Sequence, residues 1–237
     1  MKINKLNIIG NGFLAQKFKK YNLFFKKKNY FIYLAGVSNS SEKNLNNLKK
    51  DFNRINQFIK NVKDNKLIYI SSCSIFDPNR KNSLYLKNKL KIENTIKKKC
   101  KNFLIIRLPE IIGKNKNKNT LTNYFYNKII ESKKFILYAY ARRNLLDIDD
   151  ALKLILYFLN QNIKLKFLNI ANIKYISPLK IIEIFEKITN KKVNCKISYK
   201  KFNKWRIINN VNIHILKKAK VDIKKNYLKK IIKKYYK

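Results

Sequence analysis

Tyr85 and Lys89 stand four residues apart in the stretch LIYISSCSIFDPNRKNSLYLKNKLKIE, residues 67–93, a spacing that sets a phenol and an ammonium on one face of a helix. Such a pair can move a proton. A phenol with an ordinary pKa of about 10 must be brought toward about 7 to exchange one usefully, roughly 4 kcal/mol, and an adjacent ammonium favours the phenolate. The spacing by itself carries no weight. Six of the 56 basic residues are arginine and the rest lysine, so fifteen tyrosines should give about three such matches by chance. Two occur, Tyr85/Lys89 and Tyr124/Lys128. Context has to separate them.

A second arrangement with chemistry in it is KLNIIGNGFLAQKF. Here a short apolar strand runs into Gly10-Asn11-Gly12-Phe13-Leu14-Ala15 and then into a helical pattern at Leu14, Phe18, Tyr21 and Phe25. Each small residue has a task in holding a dinucleotide: Gly10 permits a tight turn, Gly12 lets the backbone approach a pyrophosphate, and Ala15 lets helix and strand pack closely. The chain has only four glycines, and two fall at this turn.

The elements that must position these residues alternate. A buried strand is expected over 30–40 with Ala35-Gly36 at its end, and a helix over 42–64 with Leu45, Leu48, Phe52, Ile55, Ile59 and Val62 at helical spacing. A strand KLIYISS, a helix over 84–100 and a strand over 102–109 stopped by Pro109 follow. Strands alternating with helices of this length make an α/β fold with a parallel, doubly wound sheet. Beyond Gly113 the pattern loosens into a polar loop at 114–120, a helix at about 121–132, a strand near 134–140 and a helix whose N-terminus carries Asp149 and Asp150. The strand KFLNIAN, a helix launched by Ser177-Pro178 and a basic amphipathic helix complete the chain. Tyr124/Lys128 falls in this looser half with no strand-end serine upstream, and is the chance copy.

The 237 residues suffice for one large α/β domain with a full core. Lysine or asparagine interrupts every apolar stretch, so no membrane span is expected, and the start lacks the apolar segment of a signal peptide. Three widely spaced cysteines, Cys73, Cys100 and Cys195, with the single histidine His214, give no metal site and point to a reducing cytoplasm. The net charge of +43 invites a nucleic-acid reading. Against it, lysine, asparagine, isoleucine, tyrosine and phenylalanine are over-used together, and these are the residues of A/T-rich codons. Arginine, the better phosphate fork, is scarce. Compositional drift accounts for that set but not for the low count of 13 acidic residues.

The order of these stretches resembles the extended short-chain dehydrogenase/reductase superfamily, the NAD-dependent epimerase/dehydratase family. The stations are the glycine turn at 10–15, LAGVSNS at 34–40, YISSCSIFD at 69–77, Tyr85-x-x-x-Lys89, IIRLPEIIG at 105–113, RNLLDIDDA at 143–151, and LNIAN before a serine-capped helix. The resemblance covers nearly the whole chain. It implies a Rossmann-like doubly wound parallel sheet with a small C-terminal substrate lobe: an NAD(P)-binding region over 1–113, completed by about 144–172, and a lobe from 114–143 and 173–237. It implies a catalytic triad of Ser72, Tyr85 and Lys89, with Ser72 steadying the substrate oxygen at a strand end, in the crevice where open α/β sheets bind ligands. Cofactor contacts carry over to Gly10, Asn11, Gly12, Phe13, Leu14, Ala35, Gly36, Tyr85, Lys89, Leu108 and Pro109. Substrate contacts carry over to Ser72, Cys73, Ser74 and Arg143, the last matching an arginine that commonly meets a nucleotide-sugar phosphate. No metal is implied.

The chain also departs from the family. Glu110 stands where many members carry asparagine. Cys73 and Ser74 replace the Asp-Glu pair that dehydratases use as acid and base, which favours oxidation, reduction or epimerisation over loss of water. Between Gly12 and Ala35 the family fits two more strand-helix units, for which there is no room, and no acidic residue closes a second strand to choose NAD over NADP. A right-handed crossover from the first strand should lead to the adenosine side, away from YLAG, unless an extended piece NLFFK at 22–26 intervenes. Ser72 precedes Tyr85 by only thirteen residues, so the loop that walls the substrate pocket in the family is brief.

The function implied is a cytoplasmic NAD- or NADP-dependent oxidoreductase or epimerase acting on a nucleotide-linked sugar; family members often pair as homodimers through the helices that match 42–64 and 84–100, and the sequence leaves monomer and homodimer open. Two other readings stand beside it: a non-catalytic protein that keeps the fold as a binding or regulatory module, and a basic nucleic-acid-associated protein.

Overall fold

The computed structural model describes residues 7–21, 30–161 and 164–237. In chain order the elements are β1 (Asn7–Ile9), α1 (Phe13–Lys20), β2 (Tyr30–Tyr33), α2 (Leu45–Ile59), β3 (Lys66–Ser72), α3 (Leu84–Lys99), β4 (Phe103–Leu108), β5 (Glu110–Ile112), α4 (Leu121–Ile130), β6 (Phe135–Tyr138), β7 (Leu145–Asp147), α5 (Ile148–Asn160), β8 (Phe167–Asn169), α6 (Pro178–Thr189), β9 (Cys195–Ser198), α7 (Ile213–Lys218) and α8 (Tyr227–Tyr236). Five strands, in the order β1-β2-β3-β4-β8, form a sheet in which every neighbouring pair is parallel. Two short parallel pairs, β5 with β7 and β6 with β9, form sheets of their own.

The central strands are apolar on both sides, and alternation divides their side chains between two cores. Leu67, Tyr69, Phe103 and Ile105 pack with Ile55 and Ile59 of α2 and Ile92 and Ile96 of α3. Ile68, Ile70, Leu104 and Ile106 pack on the other face with Phe18 of α1, Leu152 and Ile155 of α5, and Phe185 of α6. The α/β arrangement with helices on both faces is therefore as expected. Among the described residues β1 lies at the sheet edge beside β2, with α1 on the face opposite α2 and α3. Two steps in the same direction through helices on opposite faces have opposite hands, and only one can be the usual right-handed kind. Phe25 and the NLFFK piece lie outside the described residues.

Local chemistry sets the boundaries. β2 ends at Tyr33, well short of the expected 40, where its pairing with the short β1 runs out, the last bond being Leu34 N donating to Ile9 O at 2.7 Å. α2 starts at Leu45 rather than 42 because the Asn44 side chain caps it, accepting from the amides of Asn46 and Asn47 at 2.9 and 3.2 Å. α5 is capped by Asp147, while Asp149 and Asp150 occupy its first turn. Ser177 and Pro178 start α6 as their order predicts. The basic C-terminal helix is tied to those acids: Lys234 Nζ meets Asp147 at 3.0 Å and Asp149 at 2.7 Å, and Lys17 of α1 meets Asp149 at 2.6 Å. Among the described residues no helix is long and apolar enough to cross a membrane, and no His/Cys/Asp/Glu cluster could hold a metal ion.

Candidate active site

Tyr85 lies in the first turn of α3 and Lys89 one turn further on, both buried in the packing of α3 against the sheet. The Lys89 ammonium donates to the Tyr69 hydroxyl of β3 at 3.1 Å and stands 5.6 Å from the centre of the Tyr85 ring. A buried lysine needs oxygen around it. Asp51 of α2 supplies one: it is 2 % exposed, Asn88 Nδ2 donates to its Oδ2 at 3.0 Å, and its Oδ1 is enclosed without a hydrogen-bond partner among the described residues. Both groups converge on Gly36, where an added Cβ would lie 2.9 Å from Lys89 Nζ and 3.7 Å from Asp51 Oδ1. Burial pulls the Lys89 pKa down, but the oxygens of Tyr69, Tyr85 and Asp51 outweigh it and hold the ammonium above its ordinary range. Tyr124 and Lys128 also share a helix face, with the lysine 5.7 Å from the ring centre, but Tyr124 is exposed.

Ser72 is the last residue of β3, and its Oγ accepts from Ser74 N at 3.1 Å, capping a short 3-10 turn over Cys73–Phe76. Cys73 is buried, and its thiol donates to Arg107 O at 3.3 Å. Burial pushes that thiol well above the usual range, so it is neutral.

A cleft opens at the carboxyl ends of β3 and β4, where open α/β sheets take ligands. Cys73, Ser74 and Pro109 line it, with Asp77 and Arg80 from the short loop before α3. Glu110, Arg142, Arg143 and Trp205 belong to the same lining. Arg143 Nη1 pairs with Glu110 Oε1 at 3.2 Å, while Glu110 Oε2 and Arg143 Nε are enclosed without hydrogen-bond partners among the described residues. Burial pushes the Glu110 carboxyl up against the opposing pull of Arg143 and Arg80. Tyr175 carries the Arg142 guanidinium 4.6 Å above its ring and meets Trp205 edge-on at 5.9 Å. Of the residues expected to touch substrate, Cys73, Ser74 and Arg143 come together here. Ser72, Tyr85 and Lys89 are not part of this lining.

At the glycine turn Gly10 has φ +126, and a Cβ there would lie 2.8 Å from the Leu34 carbonyl carbon, so only glycine fits. Gly12 has open space where its Cβ would be, and α1 starts on it with no side-chain cap. Gln16 Nε2 donates to Asn11 O at 3.2 Å and Lys19 Nζ to Asn11 Oδ1 at 2.9 Å, bracing the turn from the helix. Phe13 folds inward, where a Cβ on Gly113 would collide with its ring. Leu108 belongs to the core, and the half-buried Leu14 packs against it.

The family described as "NAD dependent epimerase/dehydratase family" matches residues 25–171, a span holding the whole of β2 through β8. The chain belongs to that family. The solved structures it resembles include UDP-glucuronic acid 4-epimerase from Bacillus cereus in complex with UDP-glucuronic acid and NAD, at 17 % identity and TM-score 0.65 over 94 % of this chain and 76 % of that one. The RMD protein of Pseudomonas aeruginosa complexed with NADPH is similar at 14 % identity and TM-score 0.67, over 96 % of each chain. A dTDP-glucose 4,6-dehydratase from Bacillus anthracis in complex with NAD gives 14 % identity and TM-score 0.65, over 94 % and 76 %. At such identities the likeness is one of fold. No curated protein sequence matches.

An epimerase/dehydratase family member is an NAD-dependent enzyme, and the residues of this one fit the cofactor in part. The open Gly12, the uncapped start of α1 and the turn braced on Asn11 suit a phosphate. Among the described residues, however, β1 is the edge of the sheet, and the Leu34-Ala35-Gly36 that follows β2 carries no carboxylate. The family match itself begins after the glycine turn. Sequence reasoning did not single out Tyr69, Asp51 and Asn88 around Lys89, nor Arg80, Arg142 and Trp205 in the cleft. Asp51 left a signal, a scarce acid at helical spacing from Leu48 and Ile55 on the buried side of α2.

Proposed function

We propose that the chain is an NAD- or NADP-dependent oxidoreductase or epimerase of a nucleotide-linked sugar, with Ser72, Tyr85 and Lys89 as its catalytic residues. What carries this reading is the joint placement of the buried Tyr85–Lys89 pair at the start of α3 and an arginine-edged cleft at the ends of β3 and β4. When bound, the nicotinamide ring supplies the hydride acceptor or donor. Tyr85 passes the proton of the substrate hydroxyl, and the ammonium of Lys89 offsets the charge of the phenolate left behind. Ser72, at the strand end, holds the oxygen that is oxidised or reduced. Arg143, with Arg80 and Arg142 beside it, offsets the charge of a nucleotide diphosphate.

The region over 114–143 and 173–237 acts as the substrate lobe and brings Arg142, Arg143 and Trp205 to the cleft. A neutral Cys73 and Ser74 where a dehydratase has two carboxylates favour oxidation, reduction or epimerisation over loss of water. The test is turnover on a panel of nucleotide sugars with NAD or NADP, in the wild type and in Tyr85→Phe. Loss of about 10²-fold or more in kcat is the expected result.

A second reading, a non-catalytic binding or regulatory module, is favoured by one observation: Lys89 spends its ammonium on Tyr69 rather than leaving it open. Indifference of turnover to Tyr85→Phe would select it.

A further inference from the structure

We propose that the outward face of the β6–β9 pair is a binding surface for single-stranded RNA, in which exposed tyrosine rings stack on unpaired bases and the lysines around them meet the phosphates. None of the residues involved lines the cleft.

The face is built by alternation along one strand. Phe135, Leu137, Ala139 and Ala141 are buried, while Ile136, Tyr138 and Tyr140 between them are exposed, so one side of β6 and its continuation packs inward and the other meets water. A contiguous apolar row facing water marks an interaction surface. β9 extends it, since Lys196 is the register partner of Ile136 and Ser198 that of Tyr138. Just beyond, Tyr199 is 64 % exposed and its ring lies 5.8 Å from that of Tyr140, itself 57 % exposed. Phe202 meets Tyr138 edge-on at 5.6 Å.

Composition does not account for this placement. A/T-rich codons would scatter tyrosines over the whole surface. Of the fifteen in the chain, all within the described residues, the exposed ones are Tyr124, Tyr138, Tyr140 and Tyr199. Tyr124 packs edge-on against Phe135 of β6 at 5.9 Å, so the exposed rings gather on one unit.

Charge selects the occupant. Residues 132–146 and 187–221 contain no aspartate or glutamate, and they carry Lys134, Lys196, Lys200 and Lys201, all exposed. The acids at their borders are engaged: Glu131 pairs with Lys133 at 2.7 Å, and Glu186 accepts from Val193 N at 2.9 Å. A second copy of the chain would set lysine against lysine. An acidic protein offers carboxylates to the lysines but few planar faces to the rings. Unpaired nucleotides supply both partners, and stacking on aromatic side chains beside basic groups is how single strands are held without regard to sequence. RNA is the nucleic acid that presents such bases, in its loops and ends. A duplex keeps its bases stacked on one another, so the rings gain nothing from it.

The experiment is fluorescence anisotropy of the full chain with a labelled oligouridine of about twelve nucleotides at physiological ionic strength. An RNA duplex of the same length, polyglutamate and the matching oligothymidine serve as comparisons. The oligouridine is expected to bind at least about tenfold tighter than the duplex or polyglutamate. Tyr140→Ala and Tyr199→Ala remove exposed rings and leave the core intact. Each is expected to weaken oligouridine binding by about tenfold, while Tyr140→Phe and Tyr199→Phe keep it within about twofold. Lys196→Ala should flatten the slope of log affinity against log salt by about 0.7. Absence of binding, equal affinity for the duplex or polyglutamate, or undiminished binding by the two alanine variants would overturn the proposal and leave only the general attraction of a +43 chain. A preference of more than about tenfold for the oligothymidine would give the surface to single-stranded DNA and overturn the choice of RNA.

Discussion

The ammonium of Lys89 lies 2.9 Å from the point where a Cβ on Gly36 would stand, so the glycine three residues beyond β2 and the lysine of α3 occupy one seat. Asp51 Oδ1 borders the same seat at 3.7 Å. Gly36→Ala is therefore a test of both fold and site. The methyl group must displace a buried ammonium already bonded to Tyr69, and a loss of about 1–3 kcal/mol is expected from overpacking. Lys89→Met removes the bonded end, so the double variant should lose less than the sum of the two single changes. Denaturant midpoints of the four proteins measure the coupling, and strict additivity would mean that the two residues do not share the seat.

Glu110 controls how freely Arg143 can meet an anion. Burial raises the Glu110 pKa while Arg143 and Arg80 oppose the shift. Below the raised pKa the carboxyl is neutral and Arg143 is free for a phosphate. As the pH rises through it the carboxylate forms and competes. Affinity for a nucleoside diphosphate is thus expected to fall with rising pH in the wild type, and to become both tighter and flatter in Glu110→Gln. Calorimetry across the acidic to neutral range reads both, and an unchanged profile in the variant would assign the titration elsewhere.

The sheet was legible in the sequence because KLIYISS and NFLIIRLP are apolar on both faces, which is what a central parallel strand requires. Ser177-Pro178 and the Tyr85–Lys89 face were legible for the same reason: cap and spacing are local. The surroundings of Lys89 were not. Tyr69, Asp51 and Asn88 come from β3, α2 and α3, and their meeting is set by how those elements pack. Trp205 and Arg142 lie in segments without helical or strand periodicity, so nothing in their spacing pointed to a cleft. The edge position of β1 was legible only as a difficulty, since there was no room between Gly12 and Ala35 for the missing units.

The acids at the start of α5 should make stability sensitive to acid. Burial alone would raise the Asp149 pKa, but hydrogen bonds from Lys17 and Lys234 outweigh it and hold the carboxyl below its usual range. A carboxylate with a depressed folded pKa contributes stability above its unfolded value, and that contribution is lost as the pH falls through the folded value. Lys234→Met is expected to cost about 1 kcal/mol near neutrality and to shrink the difference in melting temperature between neutral pH and about pH 3. Thermal melts of both proteins at both pH values decide it, and an equal acid sensitivity would remove Asp149 from the account.

The surplus of positive charge should bind polyanions without reading them. Of the six arginines, Arg107 and Arg143 are paired with Glu93 and Glu110, Arg54 and Arg80 donate to the backbone oxygens of Ala35 and Ser40, and Arg142 is stacked on Tyr175. Five of the six forked donors that could read base edges are thus engaged within the chain, leaving the exposed Arg206, and contact with nucleic acid falls mostly to flexible lysines. Lysine-phosphate contacts release counterions, so six to ten of them lose about 10³ to 10⁵ in affinity between about 50 and 200 mM salt. Fluorescence anisotropy with duplexes of unrelated sequence is expected to give equal affinities, with binding gone at physiological ionic strength. Tight binding that survives there, or a preference for one sequence, would make the charge a function in its own right and favour the nucleic-acid reading over the enzymatic one.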